Sequence, residues 1–263
     1  MKIECLMIDT QVSFCSPSGE LFVPGADQDV LRMVKMMERI RDRVDDYHVT
    51  LDTHHFYDVA HPIFWVDSKG NHPNPFTIIS YEDVKNGVWK PSNPAETQKM
   101  LTYTETLAKN GRYKLCIWPP HCLIGSVGAT VISPVAEQLL EWEKGVAMVD
   151  YVTKGSNYTT EHFGVLVADV PDSNDPSTQL NVRLIETLQR ADVIGFYGEA
   201  LSHCVLYSLI DICANFGEEN IQKIHLVKDC CSIIPGFEDN TNKVLDSLVK
   251  RGLNLTTHDK FLK

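Results

Sequence analysis

Short apolar runs alternate along this chain with stretches whose apolar residues recur every three or four positions. "IECLMI" (3–8) reads as a continuous apolar run, the pattern of a strand buried on both faces. Residues 27–45 place Val30, Leu31, Val34, Met37, Ile40 and Val44 at helical spacing, which predicts one apolar helix face. Further strands are predicted at "HVTLDT" (48–53), "YKLCIW" (113–118), "VAMVDYV" (146–152), "DVIGFY" (192–197), "KIHLVK" (223–228) and "LNLTT" (253–257). Helices are predicted between them. One covers 95–109 with a stop at Asn110-Gly111, and another covers about 134–144 with Gly145 behind it. The others cover 178–191, the amphipathic run beginning at 205, and 242–251.

Strand–helix alternation of this kind predicts an α/β fold: a parallel β-sheet of about six strands with helices on both faces. Residues 62–94, rich in Pro, Gly and Asn and without a period, break the alternation. They are expected to form an inserted loop or small lobe within a single domain spanning 1–263. Composition narrows the function. The 24 basic and 35 acidic residues give a net charge of −11, which disfavours nucleic acid or an anionic membrane as partner. No apolar stretch is long enough to span a membrane, and the opening reads as a strand rather than a signal. A cytoplasmic location with eight reduced cysteines is expected.

In open parallel sheets, chemistry gathers beyond the carboxyl ends of the strands. Asp9, Asp52, His54, His121, Lys154 and Cys204 each fall where a predicted strand ends. Residues two apart on a strand point the same way, so Asp52 and His54 of "LDTHH" can share a ligand while His55 points away. With His121, held by Pro119-Pro120, they make a carboxylate–imidazole set suited to zinc, iron or manganese. His61 and His55 are weaker candidates. Cys204, taken alone, reads as a small buried residue. With Ser202 as helix N-cap it would lie in the first turn, where the helix dipole favours a thiolate. Asp9 could take its proton and Lys154 could balance the charge. The remaining cysteines read as packing residues, and no C-x-x-C pair occurs.

Taken together, these segments resemble one family. "IDTQVSF" (8–14), "LDTHH" (51–55), "WPPHC" (118–122), "GSVGA" (125–129), "VTKGSNY" (152–158) and "GEALSHCV" (198–205) follow, in order, the motifs of the nicotinamidases. These belong to the isochorismatase-like cysteine hydrolases, whose fold is three-layer α/β/α. The resemblance implies a catalytic triad of Asp9, Lys154 and Cys204, and metal ligands Asp52, His54 and His121 around one divalent ion, most often zinc. It implies an oxyanion hole from the backbone N–H groups of Ala200 and Cys204, and a pocket bordered by Phe14, Trp118 and Tyr158. A cis peptide at Glu199-Ala200 belongs to the same pattern. The implied activity is hydrolysis of nicotinamide to nicotinate and ammonia in NAD salvage, by a protein that forms a homo-oligomer as the family often does. The alternative is a related cysteine hydrolase acting on another small amide or carbamoyl compound. A non-catalytic metal- or partner-binding relative would be expected to have lost the acid and the thiol, and both are present. Ser13, Glu199 and Leu201 depart from the family pattern.

Overall fold

The computed structural model describes residues 1–110 and 113–263. The predicted helix stop at Gly111 lies outside the described residues. Six strands form one sheet: β1 (Ile3–Ile8), β2 (Asp46–Asp52), β7 (Asp150–Lys154), β8 (Val193–Gly198), β9 (Ile224–Val227) and β10 (Asn254–Thr256). Their order is β10-β9-β8-β1-β2-β7, and every neighbouring pair is parallel. β1 lies at the centre with every residue buried, as its apolar run predicts. Four two-residue strands make small antiparallel pairs outside this sheet: β3 (Trp65–Val66) with β5 (Lys90–Pro91), and β4 (Ile78–Ile79) with β6 (Leu115–Cys116).

The principal helices are α1 (Val12–Cys15), α2 (Ala26–Ile40), α3 (Tyr81–Lys85), α4 (Thr97–Asn110), α5 (Ser133–Glu143), α6 (Val182–Gln189), α7 (Leu206–Asn215), α8 (Glu218–Ile221) and α9 (Glu238–Lys250). From β1 the chain steps through β2 to β7 in one direction; from β8 it steps through β9 to β10 in the other. Right-handed crossovers therefore put the two sets of helices on opposite faces. α2 and α5 pack together, as do α7 and α9, which completes three layers. The direction reverses between β1 and β8, and the crevice at that reversal, beyond the strands' carboxyl ends, is where an open α/β sheet binds its ligand.

Two expectations change. Residues 113–118 do not add a strand to the parallel sheet; only Leu115–Cys116 is extended, and it pairs with β4. Ile79, Leu115 and Ile117 are buried with Trp65, Met100 and Tyr103 in a second hydrophobic cluster, so this apolar run serves the packing of residues 59–117. The strand predicted at 146–152 instead runs from Asp150 to Lys154, and Val146 and Met148 are exposed.

Candidate active site

The sheet register brings the strand-end residues together. Ile8 lies opposite Gly198, and Asp52 lies opposite Lys154 across the β2–β7 pair. The Lys154 ammonium sits 3.2 Å from Asp52 Oδ1 and 2.9 Å from Asp9 Oδ2, and it donates to the His162 carbonyl at 3.0 Å. Its fourth neighbour is Cys204 Sγ, at 3.7 Å. Lys154, Asp9 and Asp52 are all buried. Asp9 adopts φ 45°, an uncommon conformation for a non-glycine residue of the kind found at functional sites. Thr50 holds it there: the Asp9 N–H donates to Thr50 Oγ1 at 2.9 Å, and that hydroxyl donates to Asp9 Oδ1 at 2.5 Å.

Burial pushes the Asp9 carboxyl upward against the opposing pull of Lys154. For Lys154, burial works to lower the pKa, but Asp52 and Asp9 outweigh it and keep the ammonium well above its ordinary value. Burial also drives the Cys204 thiol well above its ordinary pKa, with Lys154 opposing and Asp9 and Asp52 adding to the rise. Burial thus works against a thiolate on this sulfur, opposite in direction to the effect expected of the helix start. The N-cap also differs. The helix begins at Leu201 with Ala200 as its cap, and Leu201–Val205 forms a π-helical turn leading into α7. Ser202 lies inside that turn, because its hydroxyl is engaged by the Ile234 N–H and by His203 Nδ1. The peptide between Glu199 and Ala200 is cis. The Ala200 N–H has no acceptor among the described residues.

Next to this trio, Asp52, His54 and His121 converge. His54 Nε2 lies 3.0 Å and His121 Nε2 3.7 Å from Asp52 Oδ2, and all three are buried. The second nitrogen of each ring is committed elsewhere: His54 Nδ1 to Asp58 Oδ2 at 3.1 Å, and His121 Nδ1 to the Pro119 carbonyl at 2.9 Å. This leaves both Nε2 atoms facing the carboxylate, with each ring's orientation fixed by the partner of its other nitrogen. One carboxylate and two imidazoles so placed suit a first-row divalent cation. Burial lowers the Asp52 affinity for charge, yet His54, Lys154 and His121 prevail and hold its carboxyl well below the usual range. His121 reaches the cluster although no sheet strand precedes it. The His54 N–H donates to the Cys122 carbonyl, and His54 bridges to Leu123 in parallel. His61 packs against both of these imidazoles, with centroids 5.3 and 5.5 Å away. Burial and the two neighbouring imidazoles lower its pKa to about 4.

A narrow cleft opens over Cys204, Asp52 and His121, and its walls are mainly apolar: Phe14, Leu21, Val23, Trp118, Phe163 and Ile234. Phe14 and Trp118 are among these walls. Tyr158 is not part of the wall, because its hydroxyl donates to Glu96 and its ring turns to Tyr57. Three polar contributors were not singled out from sequence. Glu161 lines the cleft, and burial holds its carboxyl well above the usual range. His203 lines it too, surrounded by Tyr113, Trp118, Phe163 and Phe237, and burial lowers its pKa to about 3. Gln11 clamps Asp52, its Oε1 accepting the Asp52 N–H at 2.8 Å and its Nε2 donating to the Asp52 carbonyl at 2.7 Å. Gln11 and His203 lie inside the quoted segments and Glu161 in none, but all three act through tertiary contacts that a single sequence does not show.

No family model matches this chain, and no curated protein matches it in sequence. Solved structures do match it. The yeast nicotinamidase bound to the inhibitor nicotinaldehyde is 18% identical with a TM-score of 0.67, covering 97% of this chain and 99% of its own. An Acinetobacter baumanii nicotinamidase/pyrazinamidase is 15% identical with a TM-score of 0.64, covering 99% and 98%. The Pyrococcus horikoshii pyrazinamidase in complex with zinc is 14% identical with a TM-score of 0.57, covering 98% and 99%. Over nearly its whole length, the chain has the three-layer α/β/α fold of the nicotinamidases and pyrazinamidases.

Proposed function

We propose that this protein is a nicotinamidase, hydrolysing nicotinamide to nicotinate and ammonia through a thioester on Cys204. The observation that carries the reading is the buried chain Asp9–Lys154–Cys204 at the sheet's reversal point, opening into an apolar cleft beside Asp52, His54 and His121. The nicotinaldehyde bound to the yeast nicotinamidase supports the same substrate class.

Burial disfavours the thiolate, so attack calls for a proton acceptor, and the Asp9 carboxylate supplies it. The thiol proton moves to Asp9 as sulfur bonds to the carboxamide carbon, and the carbonyl electrons move to oxygen. The Ala200 and Cys204 N–H groups stabilise that oxyanion. Lys154, within 3.7 Å of the sulfur, balances the charge that develops there. The tetrahedral species collapses with cleavage of the C–N bond, and Asp9 returns its proton to the departing ammonia. Asp9 then deprotonates a water that attacks the thioester, and cleavage of the C–S bond releases nicotinate and restores the thiol. Asp52, His54 and His121 would hold a divalent ion, zinc in this reading, which when bound supplies a Lewis-acid contact for the pyridine nitrogen. Phe14 and Trp118 provide apolar walls for the ring.

Ammonia release from nicotinamide tests the proposal. Wild-type protein should turn over, and Cys204→Ala should lose at least roughly 1,000-fold in kcat. Chelation should remove activity and zinc should restore it. Metal-replete protein that leaves nicotinamide intact but deamidates another small amide would move the assignment to that substrate.

A further inference from the structure

Behind the turn that carries Cys204 lies a second carboxyl pair, which the proposed chemistry does not use. Glu199, the residue before Ala200, has no exposed surface, and its Oε2 accepts the Ser232 N–H at 3.1 Å. The Ser232 hydroxyl donates to Asp29 Oδ2 at 2.5 Å, so carboxyls from the end of β8 and from α2 meet on one serine. Asp29 is also buried, and its Oδ1 is held by Arg32 Nη2 at 2.5 Å. α2 begins so as to admit this contact, since a Cβ at Gly25, which precedes the helix, would lie 2.6 Å from Ser232 Oγ.

One atom is unaccounted for. Glu199 Oε1 is buried and accepts no hydrogen bond. Two carboxylates this close repel, and Arg32 offers a single positive charge between them. A proton on Glu199 Oε1 resolves both difficulties: it removes one charge and makes the orphaned oxygen a donor toward Asp29. Burial and Asp29 push the Glu199 carboxyl well above its ordinary range, in the direction this requires. The same segment is tied to the catalytic turn at two more points. The Leu201 N–H donates to the Ser232 carbonyl at 2.8 Å, and the Ile234 N–H donates to Ser202 Oγ at 3.1 Å. Ile234 itself lines the cleft.

We propose that Glu199 is a neutral carboxylic acid that shares its proton with Asp29 and, through Ser232, positions the Ala200–Cys204 turn. It is a positioning residue rather than a catalytic one, and the inference rests on the reading of Cys204 as nucleophile. Glutamine keeps the same pattern, accepting from the Ser232 N–H and donating to Asp29, whereas methionine keeps the shape and loses both bonds.

The test compares the wild-type protein with Glu199→Gln, Glu199→Met and Ser232→Ala. Two readouts are taken: kcat and KM for nicotinamide, and the rate at which iodoacetamide alkylates Cys204, resolved by peptide mass spectrometry. Glu199→Gln should stay within about twofold of wild type, and Glu199→Met should lose about tenfold or more in kcat with little change in KM. The alkylation rate should be conserved in the glutamine variant and shifted in the methionine variant, with Ser232→Ala between them. Glu199→Gln failing as badly as Glu199→Met would overturn the proposal, since a charged carboxylate would then be required. Glu199→Met matching wild type in both readouts would overturn it too. If Glu199→Met does not fold, the glutamine and Ser232→Ala arms decide. Wild-type protein inactive on nicotinamide would defeat the functional reading, while alkylation would still judge Glu199.

Discussion

Gly155 follows Lys154 at the end of β7 with φ +83°, a conformation that L side chains rarely adopt. A Cβ there would lie 2.5 Å from Asp52 Oδ1 and 3.5 Å from His54 Cε1, pressed into the carboxylate–imidazole cluster. Gly155→Ala should therefore disturb the cluster more than the fold. The expected result is a roughly 10–100-fold loss of metal affinity, measured as bound zinc per chain, with activity falling in step. Full zinc occupancy in that variant would dismiss the argument. At this scale the sequence was informative wherever a residue type is rare in its setting. An aspartate, a lysine and a cysteine at the ends of apolar runs stood out, and the lysine lies within 4 Å of both the others. Packing choices were less visible. Leu31 has the right helical spacing but is exposed, while Met33 and Met36, not singled out, are fully buried. Glu4 interrupts an apolar strand, and only the fold brings the Lys2 ammonium to within 2.6 Å of it.

Elements were legible when their burial pattern had one cause. β1, β8 and β9 are buried almost throughout and read as apolar runs, interrupted only by Glu4 in β1 and the half-buried His225 in β9. β7 lies at the edge of the sheet with alternating burial, and its predicted range was displaced toward its N-terminal flank, where Val146 and Met148 are exposed. The 113–118 run misled for a different reason, because strand composition does not say which sheet receives the strand. A prediction belongs to the contact between β1 and β8. Gly198 ends β8 with φ +132°, and a Cβ there would fall 2.0 Å from the Ile8 carbonyl oxygen. The obstacle is backbone, so no side chain can move aside. Gly198→Ala should push the two central strands apart just where Asp9 and the cysteine turn emerge. A destabilisation of roughly 3 kcal/mol or more is expected, read as a lowered urea midpoint or as insoluble protein. A midpoint equal to wild type would show that the strand pair can relax around a methyl group.

Across the whole molecule, charge is divided between the two ends of the sheet. Asp9, Asp52 and Lys154 cluster beyond the carboxyl ends of the strands, while Lys2, Glu4, His48 and Asp150 form a second cluster toward the other end. There His48 Nδ1 lies 2.9 Å from Asp150 and Nε2 3.3 Å from Glu4, and Lys2 reaches Glu4 and Asp46. For His48, burial works to lower the pKa, but Glu4 and Asp150 prevail and raise it. For Glu4, burial works to raise the pKa, but His48 and Lys2 prevail and lower it. The two groups therefore favour folding over different pH ranges. The contribution of His48 is complete below its unfolded value of 6.5 and is lost as pH rises through its raised folded value. The contribution of Glu4 is complete above 4.5 and is lost as pH falls through its lowered folded value. Both act together between those limits. On passing from about pH 6 to about pH 9, wild-type protein should thus lose the His48 share of its stability. His48→Gln cannot titrate, so its urea midpoint should fall less over the same interval. Groups remote from His48 contribute alike in both proteins and cancel in the comparison. Equal slopes for the two would show that folding leaves the His48 pKa unchanged, leaving the Lys2–Glu4 pair to hold this end of the sheet.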